Sequence, residues 1–261
     1  MTQCLILAAG EGKRLRPLTS NLPKALVNFI DKPMIMHQIE ILESVNITNI
    51  GIVTGYKSEK FLPFKHQTYI NHDYENTNMV HSLFCGKDFF EDKNQDLIIS
   101  YGDIVYEKKN LQKLLSTQGD IVLMTDDNWL VLWSLRNEDP IRDAETMKFD
   151  GLGNIVELGK KPKNINEIES QYTGLIKVSK SKIKELISFY ERLYINKTIP
   201  KDNLDRMYLT NFLQMLIESG WIIRAAHIKG GWLEIDSTKD IKLYEKLHQE
   251  GTLYKLWSKN E

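Results

Sequence analysis

Cysteine is nearly absent from this chain: Cys4 and Cys85 are the only two in 261 residues. Each sits in an apolar run with no partner at metal-ligand spacing, so both read as small buried hydrophobes rather than redox or metal groups. Long hydrophobic runs are missing as well. No segment approaches the length of about 18 uninterrupted apolar residues that a membrane span requires, so a cytoplasmic protein without membrane insertion is expected. The opening "MTQCLILAAG" has no basic leader and is too short for a signal peptide; it reads as a strand. Excess charge of either sign is also lacking. With 34 Lys and Arg against 35 Asp and Glu, the formal net charge is −1, which excludes a nucleic-acid surface spread over the whole molecule. His37, His66, His72 and His81 form no ligand-spaced cluster. No activated serine or cysteine stands out, and a covalent enzyme intermediate is not expected.

What is present is an alternation of strand and helix patterns. "CLILAAG", "NIGIVTG", "TYINH", "DLIISYGD" and "DIVLMTDD" read as strands, with "MIMHQIEILESV", "MVHSLFCGKDFF" and "NLQKLLSTQ" as helices among them. Continuous apolar strands separated by amphipathic helices imply an α/β fold, a Rossmann-like, mostly parallel mixed sheet covered on both faces. Ligands in such sheets bind beyond the carboxyl ends of the strands. That rule puts Gly10, Gly12, Gly55 and Asp103 on one rim. Residues of about 126–178 change character: Asp-Gly and Gly-Asn turns there predict a small β-rich meander beside the sheet, with "QYTGLIKVS" as part of it. Helices are predicted at "KSKIKELISFYERLY", "DNLDRMYLTNFLQMLIESG" and "DIKLYEKLHQEGTLYKLW", with Gly220 as a C-cap and "WIIRAAHI" as a strand. The expectation is one domain over 1–261 with an inserted substrate-facing segment.

The stretch "LILAAGEGKRLRPLTSNLPKAL" carries the chemistry. A Walker A loop fails, because Gly12-Lys13 is followed by Arg14 and the upstream glycine is missing. A dinucleotide fingerprint fails at Leu15, where a third glycine or alanine is required. What remains is a backbone turn with exposed N–H groups, flanked by Arg14 and Lys24, suited to the β- and γ-phosphates of a triphosphate. Fixed cations there stabilise the charge that develops as pyrophosphate departs.

Taken whole, "LAAGEGKRLRPLT" followed by "PKAL" resembles the signature of the sugar-phosphate nucleotidyltransferase family. The resemblance implies that Leu7, Ala8, Ala9, Gly10, Glu11 and Gly12, with Gly102, contact the nucleotide, and that Arg14 and Lys24 are the catalytic phosphate-binding cations. It implies Mg²⁺ held by two aspartates at strand ends, Asp103 in "SYGD" and Asp236 in "WLEIDS", with Glu234 a weaker third carboxylate. A turn aspartate at 103 and a helix N-cap at 236 are the plain alternatives. Relatives that use CTP imply base contacts from Gly55, Tyr56, Asn78 and Ser82, while Asn76 or Asn78 also suits a helix cap.

Along essentially the full chain, "NTNMVHSLF", "DNWLVLWSLRNEDPIRDAETMK", "ELGKKP", "QYTGLIK", "YLTNFLQ" and "GGWLEID" resemble the short cytidylyltransferases. Those act on phosphocholine, 2-aminoethylphosphonate or phosphoglutamine and serve cell-surface polysaccharide synthesis. This implies CTP and a small amino-bearing phosphate or phosphonate as partners. Trp133, Glu145, Lys160 and Tyr172 are the acceptor candidates; Trp129, Asp143, Lys161, Arg142 and Arg206 are alternatives, and a core position for Trp133 stays open. The longer sugar enzymes' β-helical extension has no counterpart here, so no second acyltransferase or regulatory module is expected. A sugar-1-phosphate nucleotidyltransferase and a non-catalytic nucleotide sensor are the rival functions. A homodimer is compatible with a sequence that does not fix the oligomeric state.

Overall fold

Seven strands form the main sheet of the computed structural model, which describes residues 1–259. In chain order they are β1 (Thr2–Ala8), β2 (Ile50–Thr54), β3 (Gln67–Ile70), β4 (Asp96–Tyr101), β5 (Ile121–Asp126), β6 (Gln171–Val178) and β7 (Ile223–Ile228). Their spatial order is β7-β5-β6-β4-β1-β2-β3. All neighbours pair in parallel except β6, which runs antiparallel to both β4 and β5. The sheet is therefore mixed and mostly parallel, flanked by helices.

The period of two along β1 shows why it sits at the centre. Cys4, Ile6 and Ala8 enter the core on one face, and Leu5, Leu7 and Ala9 enter the core on the other. A strand buried on both faces needs a continuous apolar run, which "CLILAA" supplies. Truncating a fully buried residue such as Leu5 costs about 2–5 kcal/mol. Cys4 is fully buried, and burial pushes its thiol far above the usual range. Both cysteines are free. No helix among the described residues is long and apolar enough to cross a membrane.

The segment read as a β meander is different in two respects. It opens with a helix, Trp129–Arg136, and a short turn, Pro140–Asp143, before a two-stranded hairpin of Met147–Phe149 and Ile155–Leu158. Trp129, Leu132 and Trp133, spaced i, i+3, i+4, bury one face of that helix, while Leu130, Val131 and Leu135 stay exposed. A short apolar run does not distinguish helix from strand by periodicity, and here helical spacing wins. The second difference is Gln171–Val178, a full member of the main sheet rather than part of a meander. Its register shifts between Tyr172 and Ile176, around Gly174 at φ 87°. A Cβ on Gly174 would meet the Tyr101 ring at 3.0 Å, so this glycine marks an irregularity inside a central strand.

Three predicted helices are also interrupted. The break in 79–90 falls at Gly86, between Met79–Cys85 and Lys87–Phe90. Lys201–Asp205 and Leu209–Glu218 are separate helices, and the last helix, Thr238–Gln249, ends before Gly251 at φ 65°. Gly220, two residues past Leu209–Glu218, has φ 88°, the left-handed geometry of a helix stop.

Candidate active site

Beyond the carboxyl ends of β1 and β4, a cavity of about 600 Å³ opens at the point where the sheet order turns from β1 to β4. That volume lies in the range of small-molecule sites. One end is built by the loop after β1. Gly12 adopts φ 70°, its carbonyl accepts Leu15 N at 2.9 Å and the Thr19 hydroxyl at 2.8 Å, and Leu15 is fully buried as an anchor. This knot aims Arg14 at the cavity. Eight residues past Leu15, Pro23 leads into the turn Lys24–Leu26, which places Lys24 beside it.

Asp103 and Asp236 meet because a short antiparallel ribbon joins their two strands. Ile104–Tyr106 pairs with Trp232–Glu234, and Ile235 N donates to Asp103 O at 2.9 Å. Lys24 Nζ lies 2.5 Å from Asp103 Oδ2 and 2.5 Å from Asp236 Oδ1, while Arg14 Nη2 lies 2.5 Å from Asp236 Oδ2. Burial alone would lower Lys24, but the charges of Asp103, Asp236 and Glu234 outweigh it and push the ammonium up to about 12. The N-cap role at the last helix belongs to Ser237, in a capping box with Asp240, which leaves the Asp236 carboxylate for the cavity.

The donor set suits a hard divalent cation. Asp103 Oδ1 is buried with no hydrogen-bond partner among the described residues, and the other three oxygens of the pair are held by displaceable cations. No group of three or more His, Cys, Asp and Glu able to hold a metal occurs among the described residues. Two carboxylates would fit part of a Mg²⁺ shell, which phosphate oxygens and water commonly complete.

Another part of the cavity wall is aromatic and acidic. Trp133 packs between Trp129 and Trp232 at ring-centroid distances of 6.0 and 5.9 Å, and its buried indole N–H has no hydrogen-bond partner among the described residues. Tyr172 meets Tyr101 edge to face at 5.6 Å. Glu145 lies near Thr210; burial raises its carboxyl, the Thr210 hydroxyl opposes that, and Glu234 and Asp143 add to it. Glu234 is likewise raised by burial, with Arg136 opposing and Asp103 adding.

The cavity gathers Gly10, Gly12, Arg14, Lys24, Asn78 and Asp103, and with them Trp133, Glu145, Tyr172 and Asp236. Asn78 also caps Met79–Cys85, its side chain accepting from Met79 N at 2.8 Å. Other expected site residues lie outside the lining. Leu7 O accepts from Gly102 N at 2.9 Å and Ala9 O from Tyr56 N at 3.1 Å, so Leu7, Ala8, Ala9, Gly102 and Gly55-Tyr56 form the frame beneath the loop. Glu11 pairs with Arg16 and Lys13. Ser82 is buried against Asn71 at 3.0 Å. Lys160 is more than half exposed and pairs with Glu157 at 2.7 Å on the hairpin. Lining residues that sequence reasoning passed over include Gln171, Tyr208, Thr210 and Trp232. All four lie in stretches that carry the family resemblance, Gln171 in "QYTGLIK", Tyr208 and Thr210 in "YLTNFLQ" and Trp232 in "GGWLEID", but only the fold shows which residues of those stretches reach the rim.

A Rossmann-like sheet with a cation and carboxylate cluster at its switch point is the arrangement of a site for an anionic ligand such as a nucleotide. Comparisons with known proteins identify the family. Residues 3–188 match the family model described as nucleotidyl transferase, and the chain belongs to that family. It is 42% identical over 247 residues to a CTP:phosphoglutamine cytidylyltransferase of Campylobacter jejuni, covering 92% of this chain and 97% of that protein. By fold it is similar to the CTP:phosphocholine cytidylyltransferase of Streptococcus pneumoniae, with TM-score 0.69, 21% identity and coverage of 95% and 98%. The inositol-1-phosphate CTP transferase of T. maritima gives TM-score 0.72 at 19% identity, with coverage of 98% and 97%.

Proposed function

We propose that the chain is a cytidylyltransferase that transfers CMP from CTP to a small amino-bearing phosphate or phosphonate of the phosphoglutamine type, releasing pyrophosphate. The observation that carries the reading is one cavity that gathers two kinds of group: the Lys24, Arg14, Asp103 and Asp236 cluster, and an aromatic and acidic wall with Trp133 and Glu145. The 42% identity to a phosphoglutamine enzyme over nearly the whole chain supports CTP and that acceptor class. The chain acts as one nucleotidyltransferase domain, in the cytoplasm where CTP is available.

In this reading a phosphoryl oxygen of the acceptor attacks the α-phosphorus of CTP in line, and the bond from that phosphorus to the bridging oxygen of the β-phosphate breaks. Arg14 and Lys24 leave their carboxylates for the phosphates and balance the charge that accumulates on departing pyrophosphate. Asp103 and Asp236, once released, would hold Mg²⁺, which would supply charge neutralisation between the two anionic reactants. Gly10 and Gly12 let the triphosphate approach the loop backbone, and Asn78 faces the nucleotide. At the aromatic and acidic wall Glu145 pairs with the acceptor's ammonium against the faces of Trp133 and Tyr172. Together these groups hold both substrates in one orientation, which converts a bimolecular encounter into a positioned displacement.

A pyrophosphate-release assay tests this, run with four nucleoside triphosphates against phosphoglutamine, phosphocholine, 2-aminoethylphosphonate and glucose-1-phosphate. Turnover is expected with CTP and an amino-bearing acceptor, and Asp103→Asn should abolish it while the protein remains folded. Turnover with the sugar phosphate alone would overturn the acceptor class, and none with any pair would overturn the activity.

A further inference from the structure

Arg136 ends the helix Trp129–Arg136 that carries Trp133, and its side chain is only 5% exposed. Nη1 donates to Glu234 Oε2 at 2.6 Å, Nε to Asp240 Oδ1 at 2.9 Å, and Nη2 to Asp240 Oδ2 at 3.4 Å. Asp240 Oδ2 in turn accepts the backbone N–H of Asp236 at 3.1 Å and that of Ser237 at 2.8 Å. The guanidinium therefore grips the chain on both sides of the Asp236 side chain. It reaches Glu234 directly, two residues before, and it reaches the Asp236 amide through Asp240. Its Cζ also lies 5.8 Å from the centre of the Trp133 ring, one turn back on its own helix. One planar group thus ties the acceptor wall to the carboxylate at the phosphate end. Serving two carboxylates in fixed directions needs the fork of arginine; lysine offers a single point charge.

We infer that Arg136 is a positioning residue for Asp236: acting through Asp240 and Glu234, it sets the direction in which that carboxylate enters the cavity. The inference rests on Asp236 being a metal ligand in the proposed function. Arg136 touches no reacting atom in this arrangement. Partners of ligating side chains typically change metal affinity or activity by about 10–100-fold when removed.

The test is Mn²⁺ binding to the full chain, read by electron paramagnetic resonance with a CTP analogue whose α–β bridge cannot be cleaved. Arg136→Lys should weaken Mn²⁺ binding by about 10-fold or more and raise the Mg²⁺ concentration for half-maximal turnover in step. At saturating Mg²⁺ the KM for CTP should stay near that of the wild type. A merely structural role would lower the folded fraction and scale kcat without moving the Mn²⁺ midpoint. A folded Arg136→Lys protein with the wild-type midpoint overturns the inference. Should that variant fail to fold, Asp240→Asn keeps an acceptor for the Asp236 amide while removing the charge that Arg136 grips. The same shift is expected there, and an unmoved midpoint overturns the inference equally. Wild-type protein that binds Mn²⁺ but turns over no acceptor would defeat the proposed function and leave this comparison decisive. Wild-type protein that binds no Mn²⁺ overturns the inference.

Discussion

Lys24 Nζ lies 2.5 Å from Asp103 Oδ2, although 79 positions separate the two residues. The same ammonium lies 2.5 Å from Asp236 Oδ1, so one lysine holds together two carboxylates from distant strands. With Arg14 on Asp236 Oδ2, two cations face these two carboxylates. In the proposed reaction a triphosphate would compete for the same cation and free the carboxylates.

Lys24→Met should therefore do two separable things. It leaves two largely buried carboxylates facing each other, and breaking a buried pair this way costs about 3–5 kcal/mol. A lower melting temperature is expected, partly restored by millimolar Mg²⁺. Turnover should fall by about 10²–10³-fold, as when one stabilising donor is removed from a transition state. The wild-type pair also has a pH signature. Because Lys24 is raised from 10.5 to about 12, its contribution is fully present below 10.5 and lost as pH rises through about 12. The variant should lack that alkaline loss; a variant with wild-type melting and turnover would remove Lys24 from the site.

Gly12→Ala tests the loop that aims Arg14. Gly12 is left-handed at φ 70°, and an added Cβ would sit 2.8 Å from Lys24 Cβ. An alanine there bears strain of about 1–3 kcal/mol and pushes against Lys24. Weaker CTP binding is expected together with a lower melting temperature, both measurable by titration calorimetry and thermal unfolding. Unchanged CTP affinity in a destabilised protein would confine Gly12 to a folding role.

The alternation of strands and helices in the first half was legible because continuous apolar runs and amphipathic helices differ in length and period. The middle of the chain was not. Trp129–Arg136 is apolar enough to pass for a strand, and "QYTGLIKVS", read as part of the meander, is β6 of the main sheet. Site residues near the opening motif were readable because the loop places them locally, as with Gly12, Arg14 and Lys24. Residues set by long-range pairing were harder. Asp236 was legible from its strand-end pattern, but Arg136 was not, since its two partners lie 98 and 104 positions away. Lys160 shows the reverse failure: a lysine at a motif position whose hairpin turns it to solvent beside Glu157.

Glu145 yields a prediction in which stability and binding move in opposite directions. Burial raises its carboxyl above the ordinary 4.5, with Thr210 opposing and Glu234 and Asp143 adding. The folded protein thus binds this proton more tightly than the unfolded chain, and stability falls as pH rises from 4.5 through the raised value. Ionised Glu145 is a liability to the fold that Thr210 offsets in part and a cationic partner would offset further. Glu145→Gln removes the charge and keeps the shape, so the free variant should melt higher than wild type at neutral pH. Its KM for an amino-bearing acceptor should rise by about 10-fold or more, the scale of one hydrogen bond to a charged group. The KM of the wild type should fall as pH rises through the titration of Glu145, while that of the variant stays flat. A variant that melts higher yet keeps the wild-type acceptor KM would show that the cation sits elsewhere. One that melts lower would show that the carboxylate already has a partner in the free protein.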